Sequence, residues 1–154
     1  MPREGRLAGA SREDQERVSI MKIDGGCHCG YIKYEAEADP EKTTICHCTD
    51  CQHLSGSAFR TVVRVAGDTF KIIAGEPTIY VKIAESGARR VQGFCPRCGT
   101  PIYSTAEGDE PKLYSIRVGT VRQRAVLVPK VQIWSRSQLL WVADLASVRS
   151  LDRQ

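Results

Sequence analysis

The stretch GGCHCG, residues 25–30, contains the first two of the seven cysteines in this 154-residue chain. The other five lie in CHCTDC, residues 46–51, and in CPRC, residues 95–98. Cysteines two or three residues apart can direct their sulfurs at one metal ion, and zinc is a usual partner of clustered thiolates. An odd number of cysteines, all in tight clusters, argues against a disulfide framework. The spacing therefore predicts zinc sites.

The number of cysteines indicates how they divide. A structural zinc site has four protein ligands, whereas a catalytic site has three and one open position, so seven thiolates suit one site of each kind. The first and last pairs are each followed by glycine, Gly30 and Gly99, where the backbone can turn and direct N–H groups at sulfur. We therefore predict two Zn²⁺ per chain. The structural ligands are predicted to be Cys27, Cys29, Cys95 and Cys98, and the catalytic ligands Cys46, Cys48 and Cys51.

A histidine is the alternative fourth ligand for the second group, which would then be another structural site. The candidates are His28, His47 and His53. On an extended chain His47 alternates away from the flanking cysteines and so faces off the metal. Asp50 and His53 are also the nearest candidates for proton transfer, although an acid near a helix start commonly caps the helix and a histidine there is commonly only exposed.

Short strands make up most of the remaining sequence. Seven segments are rich in Val, Ile and aromatic residues and are separated by turn signals such as Ala66-Gly67-Asp68 and Gly75-Glu76-Pro77. A short helix is predicted from Thr49 to Leu54. The pattern predicts a mainly β fold, either a sandwich or an open barrel of short antiparallel strands carrying the zinc knuckles. The predicted strands are Tyr31 to Ala36, Thr61 to Val65, Phe70 to Ile73, Thr78 to Ile83, Val91 to Phe94, Leu113 to Val118 and Val131 to Trp134.

The two ends of the chain differ in character. Residues 1–20 are rich in charge, lack the apolar stretch of a signal peptide and are predicted to be a flexible tail, whereas residues 21–147 are predicted to be one zinc-binding domain. No run approaches the roughly 18 apolar residues of a membrane helix, so we expect no membrane association and a cytoplasmic location. Seven thiolates and two Zn²⁺ would lower the formal net charge from +4 to +1, which disfavours nucleic-acid binding.

Three motifs carry a resemblance to a known family. They are Gly25-Gly26-Cys27-His28-Cys29-Gly30, Cys46-His47-Cys48-Thr49-Asp50-Cys51 followed by Gly56-Ser57-Ala58-Phe59, and Phe94-Cys95-Pro96-Arg97-Cys98-Gly99-Thr100-Pro101-Ile102-Tyr103. With these motifs in this order, residues 21–145 resemble the glutathione-dependent formaldehyde-activating enzyme and centromere protein V family. The resemblance implies an Mss4-like β-fold and the same division of the cysteines into structural and catalytic zinc ligands. One position departs from the family: Gln132 stands where relatives often have histidine.

The chemistry expected of the open site follows from its charge. Zinc bound by three thiolates carries one net negative charge, so it is a weaker Lewis acid than zinc bound by histidines and suits a fourth sulfur. A thiol bound there is deprotonated and stays nucleophilic toward carbon. Together with the resemblance, this predicts a carbon–sulfur lyase similar to S-(hydroxymethyl)glutathione synthase. The predicted partners are glutathione or another small thiol, and formaldehyde or a related small aldehyde.

Two other classes of function remain open at this point. One is a zinc-dependent module that binds protein or nucleic acid without catalysis, and the other is a purely structural two-zinc domain. For the enzyme, arginines are the candidates for holding the carboxylates of a glutathione-like ligand, because the guanidinium fork matches a carboxylate. Both tryptophans, Trp134 and Trp141, are predicted to lie in the core rather than to contact substrate. The candidate arginines are Arg60, Arg64, Arg89, Arg90 and Arg97.

Overall fold

The computed structural model describes residues 19–109 and 111–154, so nearly all of the predicted N-terminal tail lies outside the described residues. Within them the chain forms ten strands, one α-helix (α1, Thr49–Ser55) and five short 3-10 segments. The strands are Met21–Gly26 (β1), Lys33–Ala38 (β2), Thr43–Cys46 (β3), Arg60–Ala66 (β4), Lys71–Ala74 (β5), Thr78–Ile83 (β6), Arg89–Phe94 (β7), Pro101–Ala106 (β8), Leu113–Arg117 (β9) and Val131–Ile133 (β10). The 3-10 segments are Pro40–Lys42, Val118–Thr120, Arg124–Val126, Ser135–Ser137 and Leu140–Ser147.

The strands form two sheets. A small antiparallel sheet has the order β1-β2-β5. A large sheet has the order β10-β3-β4-β9-β8-β7-β6, in which the β10–β3 pair is parallel and the other pairs are antiparallel. Both sheets contribute to one buried core, with Ile23 and Tyr34 from the small sheet and Val63, Ile102 and Ile116 from the large one. The prediction of a mainly β fold of short strands is confirmed.

Alternation along β4 decides which face of the large sheet is polar. Val63 enters the core, while Arg60 and Arg64 lie on the opposite face. Cys46 of β3 is opposite Arg60. Arg117 of β9 is opposite Val62, which lies midway between Arg60 and Arg64 on β4. The face that turns away from the core therefore brings a cysteine and three arginines together.

Two ion pairs join the two ends of the large sheet. The ammonium of Lys82 on β6 lies 2.7 Å from a carboxylate oxygen of Asp50 on α1. Arg136, just after β10, lies 3.1 Å from Glu85, just after β6. Because β6 and β10 are at opposite ends of the strand order, these contacts require the sheet to curl. The polar face is on the inside of that curve.

The sequence-based elements differ from the structure in a few places. Three strands are missing from the prediction: β1, which contains two glycines, β3, and β8, which begins at a proline and contains Ser104 and Thr105. Their sequences lack the apolar enrichment that signals a strand. The predicted helix is confirmed and extends to Ser55, where Gly56 ends it in the left-handed conformation at φ 64°. No helix among the described residues is long and apolar enough to span a membrane.

The prediction that both tryptophans lie in the core is wrong. Trp134 is 42% exposed and Trp141 is 56% exposed. β10 ends at Ile133, and Trp134 then adopts a positive φ of 57°, which turns the chain out of the strand. Trp141 lies in a 3-10 segment in which no residue is buried.

Candidate metal centres and the adjoining cavity

The first group of thiols contains four sulfurs that lie within 4.8 Å of one another. The sulfur of Cys29 lies 3.6 Å from that of Cys27 and 3.8 Å from that of Cys95. A tetrahedron with zinc–sulfur bonds of about 2.3 Å places its sulfurs about 3.8 Å apart. The donor set and these spacings therefore fit zinc. The members are Cys27, Cys29, Cys95 and Cys98.

Two tight turns position this four-thiolate group. Gly30 and Gly99 have φ values of 80° and 78°, and each donates its N–H to the carbonyl of the first cysteine of its pair. Backbone N–H groups also reach sulfur: that of Ile32 lies 3.1 Å from the sulfur of Cys27. Hydrogen bonds from Thr100 lower the pKa of Cys98 to about 5. These hydrogen bonds thus favour the thiolate of Cys98, the form that binds metal.

The second group contains the sulfurs of Cys46, Cys48 and Cys51, again within 4.8 Å of one another. Cys46 ends β3, Cys48 caps the N-terminus of α1, and Cys51 lies in the first turn of that helix. The N–H of Cys51 donates to the sulfur of Cys48 over 3.3 Å. Among the described residues, this group has no fourth side-chain ligand. Its donor set and spacing fit a zinc ion with one open position.

The histidines lie outside both groups. His47 is fully buried, and its Nε2 is 2.7 Å from the side-chain oxygen of Gln132. His53 Nδ1 is 3.0 Å from the carbonyl of Thr49. Neither ring is therefore placed as the fourth ligand of the three-thiolate group. Gln132, the residue that departs from the family pattern, contacts His47 and is not among the residues that line the cavity described next.

A cavity of about 590 Å³ adjoins the three-thiolate group. All three of its cysteines line this cavity, together with the polar face of the curled large sheet. All seven strands of the large sheet contribute, β10 through Ile133, and the turn after β10 adds Trp134. The volume lies within the range of small-molecule sites, roughly 300–1,000 Å³. The four-thiolate group, by contrast, does not line it.

Of the five arginines that line the cavity, four give it an unbalanced positive charge. They are Arg60, Arg64, Arg90 and Arg117. In the described part of the chain, no carboxylate lies within 4 Å of any of them. The side-chain oxygen of Gln92 accepts from Arg117 at 2.8 Å and from Arg60 at 3.4 Å. Burial and the nearby charge of Arg60 lower the pKa of Arg117 to about 9, so it stays protonated at neutral pH.

The sequence model of the family described as glutathione-dependent formaldehyde-activating enzyme matches residues 22–137. The chain belongs to this family. The predicted family is therefore confirmed, and with it a link to glutathione-related activation of formaldehyde. A crystal structure of a protein from Rhodobacter sphaeroides has the same fold. It shares 16% identity, superposes with a TM-score of 0.54, and the match covers 71% of this chain and 98% of that one.

In this member of the glutathione-dependent formaldehyde-activating family, both carboxylates of the cavity are already paired. Asp50 bonds Lys82, and Glu85 bonds Arg136. Asp50 thus borders the cavity as one half of an ion pair. His53, the other predicted candidate for proton transfer, does not line it.

The five arginines proposed from the sequence separate into two sets. Arg60, Arg64 and Arg90 line the cavity. Arg89 bonds Glu107 over 2.6 Å on an exposed surface, and the guanidinium of Arg97 lies 3.8 Å from the centre of the Tyr31 ring. Arg89 and Arg97 are therefore not among the residues that line the cavity.

Sequence reasoning missed several residues of this family member's cavity. They are Lys82, Gln92, Arg117, Trp134 as a lining residue, and Arg136. A signal for Arg117 exists, because it alternates with the buried Ile116 on a strand that the sequence predicts. The other residues reach the cavity because of the pairing between strands that are far apart in the sequence. Alternation within one strand does not specify that pairing.

Proposed function

We propose that this chain is a zinc-dependent carbon–sulfur lyase that acts on the adduct of glutathione, or another small thiol, with formaldehyde or a related small aldehyde. The observation that carries the proposal is the difference between the two cysteine groups. The three-thiolate group opens onto a cavity of small-molecule size, while the four-thiolate group is complete and lies away from it. Membership of the formaldehyde-activating family supports the same reaction class.

Zinc would be held at the reactive site by Cys46, Cys48 and Cys51. When bound there, it supplies an open position for a fourth sulfur and keeps a thiol ionised at neutral pH. The protein's own contribution is to hold that thiol beside a cationic wall. Arg60, opposite Cys46 in the β3–β4 pair, is the cavity arginine nearest in register to these ligands.

The reaction requires one bond to break and one proton to move. In the cleavage direction the hydroxyl of the thiol–aldehyde adduct loses its proton to solvent water, the carbon–oxygen bond becomes a carbonyl, and the carbon–sulfur bond breaks with its electron pair on sulfur. Negative charge builds up first on oxygen and then on sulfur. The positive charge of Arg60 and Arg117 stabilises both, because these two arginines are buried at the cavity wall and burial strengthens electrostatic interactions.

The experiment that tests this proposal measures how fast ¹³C-formaldehyde exchanges with its glutathione adduct. NMR exchange spectroscopy is suitable, because it reports the formation and the cleavage of the adduct at equilibrium. Zinc-loaded protein is expected to raise the exchange rate above the spontaneous rate, and Cys51→Ser is expected to abolish the increase. An exchange rate equal to the spontaneous one for the zinc-loaded wild type rejects the proposed function.

A further inference from the structure

A second cavity, of about 320 Å³, adjoins the one beside the three-thiolate group. Arg60, Gln92 and Arg117 line both cavities, so the two spaces meet at these three side chains. The rest of the second lining is mainly apolar, and none of the described residues around it is acidic. We call it the apolar cavity. The residues that give it this character are Leu54, Tyr80, Phe94, Pro101 and Tyr103.

Strand β7 leads from the first cavity to the apolar one. Arg90, Gln92 and Phe94 alternate along β7 and therefore lie on one face of the sheet. Arg90 lines the first cavity, Gln92 lines both, and Phe94 lines only the apolar cavity. Strand β6 repeats the change, with Lys82 on the first cavity and Tyr80 on the apolar one. The face thus changes from cationic to aromatic over about 13 Å of strand.

Helix α1 places the apolar cavity close to the three-thiolate group. Cys51 lines the first cavity, and Leu54, three residues later on the same side of the helix, lines the apolar one. Three residues of α-helix rise by about 4.5 Å. Arg60, which lines both cavities, is opposite Cys46 in the β3–β4 pair. A molecule bound at these sulfurs can therefore extend a substituent into the apolar cavity.

The apolar cavity is larger than formaldehyde needs. In the proposed reaction the oxygen of the adduct lies at Arg60 and Arg117, where the two cavities meet. The carbon of a formaldehyde adduct bears only hydrogens besides its oxygen and sulfur, so it would leave the apolar cavity unfilled. Apolar cavities of about 150 Å³ can hold a benzene ring. Aromatic walls such as Phe94 and Tyr103 also pair favourably with an aromatic ligand.

We infer that the aldehyde half of the adduct carries an apolar substituent of about the size of an aromatic ring, which lies in the apolar cavity while the sulfur points to Cys46, Cys48 and Cys51. This substrate class rests on the proposed function and applies to the same site. The substituent takes no part in bond breaking, so the bond changes and the proton transfer stay as given above. Its burial favours such an aldehyde over formaldehyde by about tenfold or more.

The first test measures binding without turnover. S-methylglutathione and S-(2-phenylethyl)glutathione are inert thioethers that correspond to the adducts of formaldehyde and of phenylacetaldehyde without their hydroxyl groups. Calorimetry on the zinc-loaded full chain is expected to give the phenylethyl compound a dissociation constant about tenfold or more below that of the methyl compound. Equal dissociation constants overturn the inference.

Leu54→Asn tests whether the apolar cavity causes this preference. It is expected to reduce the ratio of the two affinities about threefold or more, because the wall loses apolar area that the phenyl ring covers. Leu140→Asn is the matched control and is expected to keep the ratio, since Leu140 is 93% exposed and lines neither cavity. A ratio in Leu54→Asn equal to that of the wild type would place the phenyl ring elsewhere and overturn the inference.

The exchange experiment separates this inference from the proposed function. With ¹³C-labelled aldehydes and glutathione, the zinc-loaded protein is expected to accelerate the exchange of phenylacetaldehyde about tenfold or more beyond that of formaldehyde, each relative to its spontaneous rate. If only formaldehyde exchange is accelerated, this inference fails and the proposed function stands. If the thioethers bind as expected but neither adduct exchanges faster than it does spontaneously, the proposed function fails and the ligand preference of the apolar cavity stands.

Discussion

Each cysteine contributes one sulfur, yet the two groups connect very different lengths of chain. Cys29 and Cys95 are 66 residues apart in sequence, and their sulfurs are 3.8 Å apart. Cys46, Cys48 and Cys51 all lie within six residues. An ion that joins distant segments removes far more freedom from the unfolded chain than an ion that closes a local loop. Single substitutions in the two groups should therefore have different consequences.

Cys98→Ser is expected to prevent folding or to lower the melting temperature by more than about 10 °C, because structural zinc contributes on the order of 10 kcal/mol to folding. Cys51→Ser is expected to keep one zinc and to melt within a few degrees of the wild type. Thermal unfolding and metal content of the three proteins, measured side by side, check both results. A melting temperature of Cys98→Ser equal to that of the wild type contradicts the assignment of the four-thiolate group.

Gly93→Ala is expected to lower the free energy of unfolding by about 1–3 kcal/mol, the usual cost of overpacking. A Cβ at position 93 would overlap the ring of Tyr103, the residue directly opposite on β8. Gly119→Ala is the control, because a Cβ there meets no atom within 4 Å. Urea denaturation measures both variants. Equal losses of stability in the two would show that the packing of Tyr103 over Gly93 is not the cause.

At the scale of elements, helix α1 matters most because it contains Cys51 and is capped by Cys48, two of the three cysteines of the open group. A helix of seven residues is not stable alone, so its position depends on its contacts. Gln52 provides two of them: its side-chain amide donates to the carbonyl of His47 at 2.9 Å and to that of Ser137 at 3.0 Å. These bonds tie the start of the helix to the end of β3 and to the turn after β10.

Gln52→Ala is expected to weaken zinc retention by the three-thiolate group about tenfold, because contacts that orient ligands influence metal affinity this much. The measurement is the rate of zinc release to a chelator. Gln123→Ala is a matched control, since Gln123 also makes two side-chain hydrogen bonds, both to Asp24 and away from the cavity. Similar release rates from the two variants would contradict a positioning role for Gln52.

At the scale of the whole molecule, the curled large sheet makes one face of a sandwich into a cavity wall. Six strands place polar side chains on that face, and the ion pairs Lys82–Asp50 and Arg136–Glu85 hold its ends together. Both ion pairs are partly exposed, so each contributes only about 0–1 kcal/mol. The shape of the cavity therefore depends chiefly on strand pairing and on the core beneath it.

The purified protein is expected to contain two zinc ions per chain, of which a mild chelator removes one. A site with three protein ligands holds its metal less firmly than one with four. Cobalt substitution adds a second readout: glutathione should strengthen the sulfur-to-metal charge-transfer absorption of the open site. One firmly held ion with three reactive thiols, or a cobalt spectrum unchanged by a panel of thiols, would contradict the open site.

Local chemistry is what the sequence by itself determined about this protein. The spacing of the cysteines and the glycines after them specify two turns that present sulfur, because both features act over a few residues of backbone. The structure brings together the same two sets of sulfurs. Alternation and apolar enrichment likewise identified most strands, because each strand's pattern reflects its own two faces.

Only the tertiary structure decided which arginines share the cavity with the thiolates. Arg64, Arg90 and Arg117 lie on three different strands, and their convergence depends on the order and register of the sheet. Arg89 and Arg90 show most clearly what the sequence could not predict. They are neighbours on one strand and point to opposite faces of the sheet, and only Arg90 lines the cavity. Strand pairing is decided by contacts between residues far apart in the chain, which no local pattern records.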